Sequence, residues 1–320
     1  MSYDEQKKKD KSNPVSSATP YDDVYQTLVV DCPSLIIPVV NEIFHENISQ
    51  DSDIIPLKDE VFMHRQGGEQ LERITDSQFY LAQKRYHVEC QSTADNTLLL
   101  RFFEYDSQIA LQDSEQSTDE LTVNFPVSAV LYLRHNRNTP DSMKIHIKVS
   151  GDECHYFVPV MKVSAYSVDE FFEKKLYFLV PFHIFSYENL FKTYEEDAEK
   201  REELYAVYED IIGQLNQCAK QGLISEYVKC TIIDMSKKVL NQIAKKYENI
   251  RKGIGEIMGG QVLEYEAKTI LRRGQTQQLL SQISKKLAKG QNFEQIADAL
   301  EESVETIVAL IEEHHLTKVG

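Results

Sequence analysis

Two short β-prone runs separated by a polar pair give the clearest pattern of apolar and polar positions in this chain. They lie within residues 74–92, and Gln83 and Lys84 stand between them as a possible two-residue turn. Counting outward from this turn pairs Gln78 with Glu89. Because directly paired side chains point to the same side of a sheet, one face of the predicted hairpin carries five polar side chains: Asp76, Gln78, His87, Glu89 and Gln91. The other face carries Tyr86, Val88 and Cys90.

The polar face of this hairpin has two interpretations. Carboxylates at adjacent strand positions, such as Asp76 and Glu89, repel each other unless a positive charge lies between them. Oxygen ligands with open, water-filled positions suit Mg²⁺ or Mn²⁺, which can polarise a phosphate and lower the pKa of a bound water. The alternative is a solvent-facing strand, in which alternating polar residues need no function.

The pattern also predicts helices on both sides of the hairpin in the chain. Residues 1–19 are polar and lysine-rich, which is typical of a disordered tail, and a helix begins near Pro20. Pro33 breaks the chain before a second, largely buried helix. A further helix starts near Asp95. It carries three side chains at helical spacing on one face: Arg101, Tyr105 and Gln108.

The second half of the chain changes from β-rich to helical. Residues 121–166 contain β-rich segments separated by turns, and from about Tyr187 onward the pattern is helical. Strands flanked by helices, rather than alternating regularly with them, favour an α/β or α+β core over a Rossmann fold. Glycines at 253–260 are interpreted as breaks or a hinge, since they lack the Lys-Ser/Thr of a phosphate-binding loop. The last helices are predicted to join at a tight turn with Ser303 as N-cap.

Composition narrows the class of protein. The longest apolar runs are far below the roughly 20 residues of a membrane-spanning helix, and the N-terminus has no apolar segment of a secretory signal. The five cysteines form no C-x-x-C motif, as expected of free thiols in a reducing compartment. We therefore expect a soluble cytoplasmic protein without a membrane partner. The net charge of −16 argues against a generic nucleic-acid coat protein but does not exclude a nuclease.

One segment stands out against this negative charge. Residues 267–293 contain no acidic residue before Glu294. The segment is the best candidate for contact with DNA phosphates, and a solvated helix face is the alternative. Its basic residues are Lys268, Arg272, Arg273, Lys285, Lys286 and Lys289.

Three short motifs resemble those of the PD-(D/E)XK nuclease family transposases, also called recombination-promoting nucleases. They are D-S-x-F at Asp76, Y-H-V-E-C-Q-S at Tyr86 and R-F-F-E-Y-D at Arg101. In that superfamily an acid on one strand and a (D/E)-x-K on the next hold the metal. This group carries E-x-Q instead, and Glu89-Cys90-Gln91 fits that form.

The resemblance implies a restriction-endonuclease-like core with a mixed central sheet flanked by helices. That core would span residues 20–190, followed by a helical region at 191–275 and a helix-turn-helix-like module at 276–320. The acidic second helix of this module favours packing or homo-oligomerisation through the C-terminal helices over reading of DNA sequence.

The resemblance also implies the site. Asp76 and Glu89 would bind Mg²⁺ or Mn²⁺, and Asp22 on the first helix would complete the ligands, with Glu42 as its rival. Gln91 would orient the attacking water. Arg101 and Tyr105 would face the active site or the DNA.

The expected function is metal-dependent DNA endonuclease activity. The alternative is a catalytically weak or silent protein of nuclease fold that binds DNA or associates with itself, which the neutral Gln91 and the acidic charge favour. A hydrolase using Cys90 and His87 is disfavoured, because strand alternation sends the two side chains to opposite faces.

Overall fold

The structure, a computed structural model, describes most of the chain. It covers residues 20–57, 60–64, 70–74, 77–92, 95–259, 279–280, 282–287, 291–300 and 303–313. Several sequence predictions lie outside these stretches: the tail at 1–19, the proposed ligand Asp76, and the basic residues Lys268, Arg272, Arg273 and Lys289.

The fold is mixed α/β and is built on a six-stranded sheet. In chain order the strands are β1 (Ile54–Pro56), β2 (Glu60–His64), β3 (Gln70–Ile74), β4 (Gln78–Leu81), β5 (Lys84–Gln91), β6 (Glu115–Gln116), β7 (Leu121–Thr122), β8 (Val127–Tyr132), β9 (Ser142–Val149) and β10 (Asp152–Lys162). The main sheet has the order β1-β4-β5-β8-β10-β9, and β2-β3 and β6-β7 form separate two-stranded ribbons. β8 is parallel to both β5 and β10, and the other pairs are antiparallel, so the predicted mixed sheet is confirmed.

Helices precede, interrupt and follow the sheet. The α-helices are α1 (Pro20–Asp31), α2 (Ile36–Phe44), α3 (Leu98–Gln112), α4 (Val168–Glu173), α5 (Phe191–Glu196), α6 (Ala198–Lys220), α7 (Glu226–Ile243), α8 (Glu248–Ile257), α9 (Phe293–Leu300) and α10 (Val304–Glu313). A long 3-10 helix, Tyr177–Leu190, connects α4 to α5. The predicted helical C-terminal part is confirmed for the residues that the structure describes.

The β4–β5 hairpin turns one residue earlier than the sequence predicts. Ala82 and Gln83 have φ values of 49° and 66°, so they form the turn and Gln78 pairs with His87. The predicted turn at Gln83 and Lys84, and with it the pairing of Gln78 with Glu89, is wrong. Neither Ala nor Gln favours positive φ, so local preference does not mark the turn. The partner shifts by two residues along β5, which leaves every side chain on its predicted face.

The two faces of the sheet bury different partners. α3 carries the chain from β5 to the parallel β8 and covers one face, where Phe102 packs with Val130 and Val158. The opposite face carries Tyr86, Val88 and Cys90, as predicted, and belongs to the main hydrophobic cluster. β5 is therefore buried on both sides.

The main core continues from the sheet into the C-terminal helices. Tyr25 of α1 and Phe178 of the long 3-10 helix are fully buried in the same cluster as Leu204 of α6 and Ile250 of α8. α1 packs against α7, and α7 packs against the 3-10 helix. The division predicted at residue 190 thus runs through a shared core.

Glycines predicted to break the chain lie inside a helix. Gly253 and Gly255 are internal to α8, so the predicted break or hinge at these two positions is wrong. The reason is packing: a Cβ at Gly253 would lie 2.1 Å from the Cζ of Tyr205 on α6. Here glycine allows two helices to approach closely.

We expect Gly253→Ala to destabilise the protein by about 1–3 kcal/mol, because the methyl group would overlap the Tyr205 ring. The ring has little freedom, since its hydroxyl donates to the Asn249 carbonyl at 2.7 Å. Gly255→Ala is the control: its Cβ would meet nothing within 4 Å, so better helix propensity should raise stability by up to about 1 kcal/mol. Chemical denaturation measures both; equal effects would contradict the close-approach argument.

The last described helices form a small cluster of their own. Its buried members are Ile283, Leu287, Ile296, Ala297 and Ile307. Ser303 accepts a hydrogen bond from the Thr306 amide at 3.1 Å, which confirms the predicted N-cap of α10.

Among the described residues, no single helix is long and apolar enough to cross a membrane. One pair, Tyr21–Asp31 and Pro33–Phe44, meets the length and composition criteria only when taken together, and it bends by 107° at its break.

Candidate active site

A line of alternating acidic and basic side chains runs between β5 and α3. Asp106, His87, Glu89, Arg101 and Asp95 are joined in that order by contacts of 2.7, 3.1, 2.7 and 3.1 Å. The first two are fully buried, Glu89 is 2% exposed, and the last two reach the surface. The structure therefore holds three charged groups in the interior and connects them to solvent through a guanidinium.

Strand and helix geometry place these groups. His87, Glu89 and Gln91 alternate along β5, so all three point towards α3. Phe102 and Asp106 are both buried on α3, four residues or just over one turn apart, and Arg101 directly precedes Phe102. The two separate motifs, Y-H-V-E-C-Q-S on β5 and R-F-F-E-Y-D on α3, therefore lie against each other.

His87 lies between two carboxylates. Its Nδ1 is 2.7 Å from Asp106 Oδ1, and its Nε2 is 3.1 Å from Glu89 Oε1. Burial alone would lower the pKa of His87, but the hydrogen bonds and charges of Asp106 and Glu89 outweigh burial and raise the pKa to about 9. His87 is therefore an imidazolium at neutral pH and donates from both nitrogens.

Asp106 has two further donors. The Ser128 hydroxyl donates to its Oδ1 at 2.7 Å, and the Tyr156 hydroxyl donates to its Oδ2 at 2.8 Å. Burial and the neighbouring Asp106 charge raise the pKa of Tyr156, so the phenol keeps its proton. Four elements, β5, α3, β8 and β10, thus meet at this carboxylate.

Glu89 is held as an ion. Its Oε2 accepts from the Arg101 guanidinium at 2.7 Å and from the Gln91 amide at 3.4 Å. Burial by itself raises the pKa of Glu89, but His87 and Arg101 together bring it below its ordinary value. The sequence alternative of a solvent-facing strand is therefore wrong at this position: the acidic side chain lies in the protein interior.

The structure brings only some of the predicted site residues together. Glu89, Gln91 and Arg101 are in contact, and the Tyr105 ring centroid lies 5.9 Å from that of His87.

The other predicted residues lie elsewhere or outside the described stretches. Asp22 is in the first turn of α1, and this helix contacts the hairpin through Tyr25, whose hydroxyl donates to the Val88 carbonyl at 3.3 Å. Glu42 accepts from Lys174 and Tyr166 at another place. The described members of the basic segment, Lys285 and Lys286, belong to the C-terminal helices.

The described residues alone do not make a site for Mg²⁺ or Mn²⁺. Both oxygens of Glu89 already face cations, one from His87 and one from Arg101. In the part of the chain that the structure describes, no three His, Cys, Asp or Glu side chains are grouped to hold a metal ion. The second carboxylate implied by the resemblance, Asp76, lies outside that part.

Sequence reasoning missed Asp106, Ser128 and Tyr156. Asp106 ends the R-F-F-E-Y-D motif and has the charge that a buried His87 requires, which is a signal that the sequence offers. Ser128 and Tyr156 carry no such signal, because their meeting depends on the parallel pairing of β8 with β5 and β10.

Fold and site thus define a mixed α/β protein with a buried ionic network between a strand and the crossover helix. Comparison of the chain with protein-family models, with curated proteins and with solved structures finds no significant match.

Proposed function

We propose that the protein is a metal-dependent DNA endonuclease of the recombination-promoting type, with a restriction-endonuclease-like core. One observation carries the proposal: the E-x-Q pair, Glu89 and Gln91, lies on a buried strand with the carboxylate ionised. A buried carboxylate costs several kcal/mol unless it is paired, and strongly shifted groups cluster at functional sites. Asp76 as the other carboxylate, and Mg²⁺ or Mn²⁺ as the ion, rest on the resemblance.

Gln91 and Arg101 have different roles in the proposed reaction. The Nε2 of Gln91 faces Glu89, so its amide oxygen is the atom able to accept a hydrogen bond from the attacking water. An amide is neutral, so Gln91 orients this water but cannot take its proton. Arg101 is partly exposed between Glu89 and Asp95 and supplies a cation for a DNA phosphate.

Cleavage of supercoiled plasmid tests the proposal. With Mg²⁺ or Mn²⁺ present, we expect Glu89→Gln to lower the cleavage rate by about 100-fold or more, because the change removes the charge and keeps the shape. Asp76→Ala should do the same.

Glu46→Gln is the matched control for this assay. Glu46 is also a paired carboxylate and accepts hydrogen bonds from Lys84 and Tyr86, but it does not contact the row of charged side chains that contains Glu89. We expect this variant to cleave at the wild-type rate. Equal rates for wild type, Glu89→Gln and Asp76→Ala would refute the proposal.

A silent protein of nuclease fold is the second candidate. The observation that favours it is the Arg101 guanidinium on Glu89, since a permanent ion pair there would leave no place for a divalent cation. Calorimetric titration with Mn²⁺ separates the candidates. Binding that is lost in Glu89→Gln supports the enzyme, and the absence of Glu89-dependent binding supports the silent protein.

A further inference from the structure

The end of the sheet extends into an exposed two-stranded ribbon. β10 pairs with β8 at Val160, Met161 and Lys162, whereas its preceding residues, 152–159, pair with β9 alone. We call β9 and residues 152–159 the β-ribbon. Its inner face packs towards α3 through Ile145 and Val158, so its outer face points to the other side of the sheet.

Aromatic rings form a row on this outer face. Phe157 is 56% exposed, and its ring centroid lies 5.4 Å from that of His155. His155 in turn lies 5.5 Å from His146, its cross-strand partner. Phe157 is a large apolar side chain, which gains nothing from contact with water.

Lysines stand at both ends of the row. Lys144 is paired across the strands with Phe157, and its Nζ lies 5.5 Å from the centre of that ring. Lys148 stands at the other end, where Glu153 is 4.0 Å from its Nζ. The Phe157 end of the row therefore carries a cation that forms no ion pair with the described residues, in a protein whose net charge is −16.

Rings flanked by cations suit one class of ligand. A single-stranded nucleic acid offers unpaired bases that stack on rings and phosphates that attract lysines, whereas the bases of a duplex are already stacked on each other. Residues two apart on a strand are separated by about 7 Å, so Phe157 and His155 provide places for two neighbouring bases.

We propose that the outer face of the β-ribbon binds single-stranded nucleic acid, with bases stacked on Phe157 and His155 and a phosphate near Lys144. Glu89 pairs with Val130, so both side chains lie on the side of the sheet that α3 covers. Val130 also pairs with Val160, and Val158 lies on this same side. The outer face of the β-ribbon is on the opposite side. The ligand is therefore held at a place separate from the candidate active site. The binding does not depend on catalysis at Glu89.

Fluorescence anisotropy of a labelled oligothymidine of about 12 nucleotides, within the usual site sizes of such proteins, tests the inference. The full chain is used in EDTA, so that no cleavage occurs. We expect Phe157→Ala to weaken binding roughly tenfold or more. Lys144→Gln should reduce the slope of log affinity against log salt by about 0.7, the value for one lost phosphate contact.

Two further variants sharpen the charge argument. Glu153→Gln removes the acid beside Lys148 and should strengthen binding. Lys148→Gln should weaken binding less than Lys144→Gln does, because Glu153 already offsets part of the Lys148 charge.

Val149→Ser is the control for an exposed apolar residue, since Val149 is on β9 but belongs to the other face. Lys192→Gln on α5 is the control for charge. Thermal unfolding of each variant shows whether the fold is kept. Wild-type affinity in Phe157→Ala, or duplex binding as tight as single-strand binding, would overturn the inference. Ring-dependent binding by a protein that cleaves nothing would support it while refuting the endonuclease.

Discussion

Replacing His87 by Leu is expected to lower the free energy of unfolding by about 3–5 kcal/mol. The imidazolium is the shared counter-ion of Asp106 and Glu89, both of which are buried. Without it, the side-chain donors that remain to Asp106 among the described residues are the hydroxyls of Ser128 and Tyr156, which carry no charge. Denaturant unfolding at pH 7 measures the loss.

Two companion variants identify the cause of that loss. Ser128→Ala removes a neutral donor from the same carboxylate and should cost only about 1–2 kcal/mol. Asp106→Asn combined with His87→Leu should lower stability by less than the sum of the two single changes. The double variant no longer contains the Asp106 charge that His87→Leu alone would leave without its counter-ion. If His87→Leu costs no more than Ser128→Ala, the charged state of this network is refuted.

Between pH 6.5 and pH 5, above the range in which most carboxylates titrate, stability is expected to fall by roughly 1.5 kcal/mol because of His183. His183 is 3% exposed, packs against the rings of Phe171, Tyr187 and Tyr208, and has no hydrogen-bond partner for Nδ1 among the described residues. Burial lowers its pKa from 6.5 to about 4.

The sign follows from proton uptake. Below pH 6.5 His183 is protonated in the unfolded chain, whereas in the folded protein it becomes protonated only near pH 4. The unfolded chain therefore binds more protons in this range, and acid favours unfolding. His87 adds nothing in this range, because its pKa of about 9 keeps it protonated in the folded protein, and this contribution is lost only at higher pH.

His183→Phe should remove most of this pH dependence, since phenylalanine cannot titrate and suits the aromatic surroundings. Phe171→Leu is the control: it removes a neighbouring ring and should lower stability by a similar amount at pH 7 and at pH 5. Denaturant midpoints across the pH range give both slopes. A wild-type slope that survives in His183→Phe would rule out His183 as its origin.

Periodicity predicted the elements of this fold better than it predicted their pairing. Alternation along β5 correctly predicts that Tyr86 and His87 lie on opposite faces. The wrong turn does not change this result, because it shifts the partner of each β4 residue by two positions along β5, an even number. The turn itself was not predictable, since Ala82 and Gln83 are not residues that favour positive φ.

Contacts between distant residues were the least predictable part of the candidate site. Glu89 and Gln91 were identified by motif, but Tyr156 reaches Asp106 across 50 residues. Such a meeting follows from strand order, which a single sequence does not reveal. Gly253 shows the same limit: its meaning depends on Tyr205, which lies on another helix.

The core shared across residue 190 has a consequence for how this protein can be divided. A polypeptide ending at 190 would lose α6, α7 and α8, and the surfaces of α1 and of the long 3-10 helix that pack against α7 would face water. Exposed apolar surface of that kind leads to aggregation. The strands that hold Glu89 and the helices that follow them therefore form one cooperative folding unit.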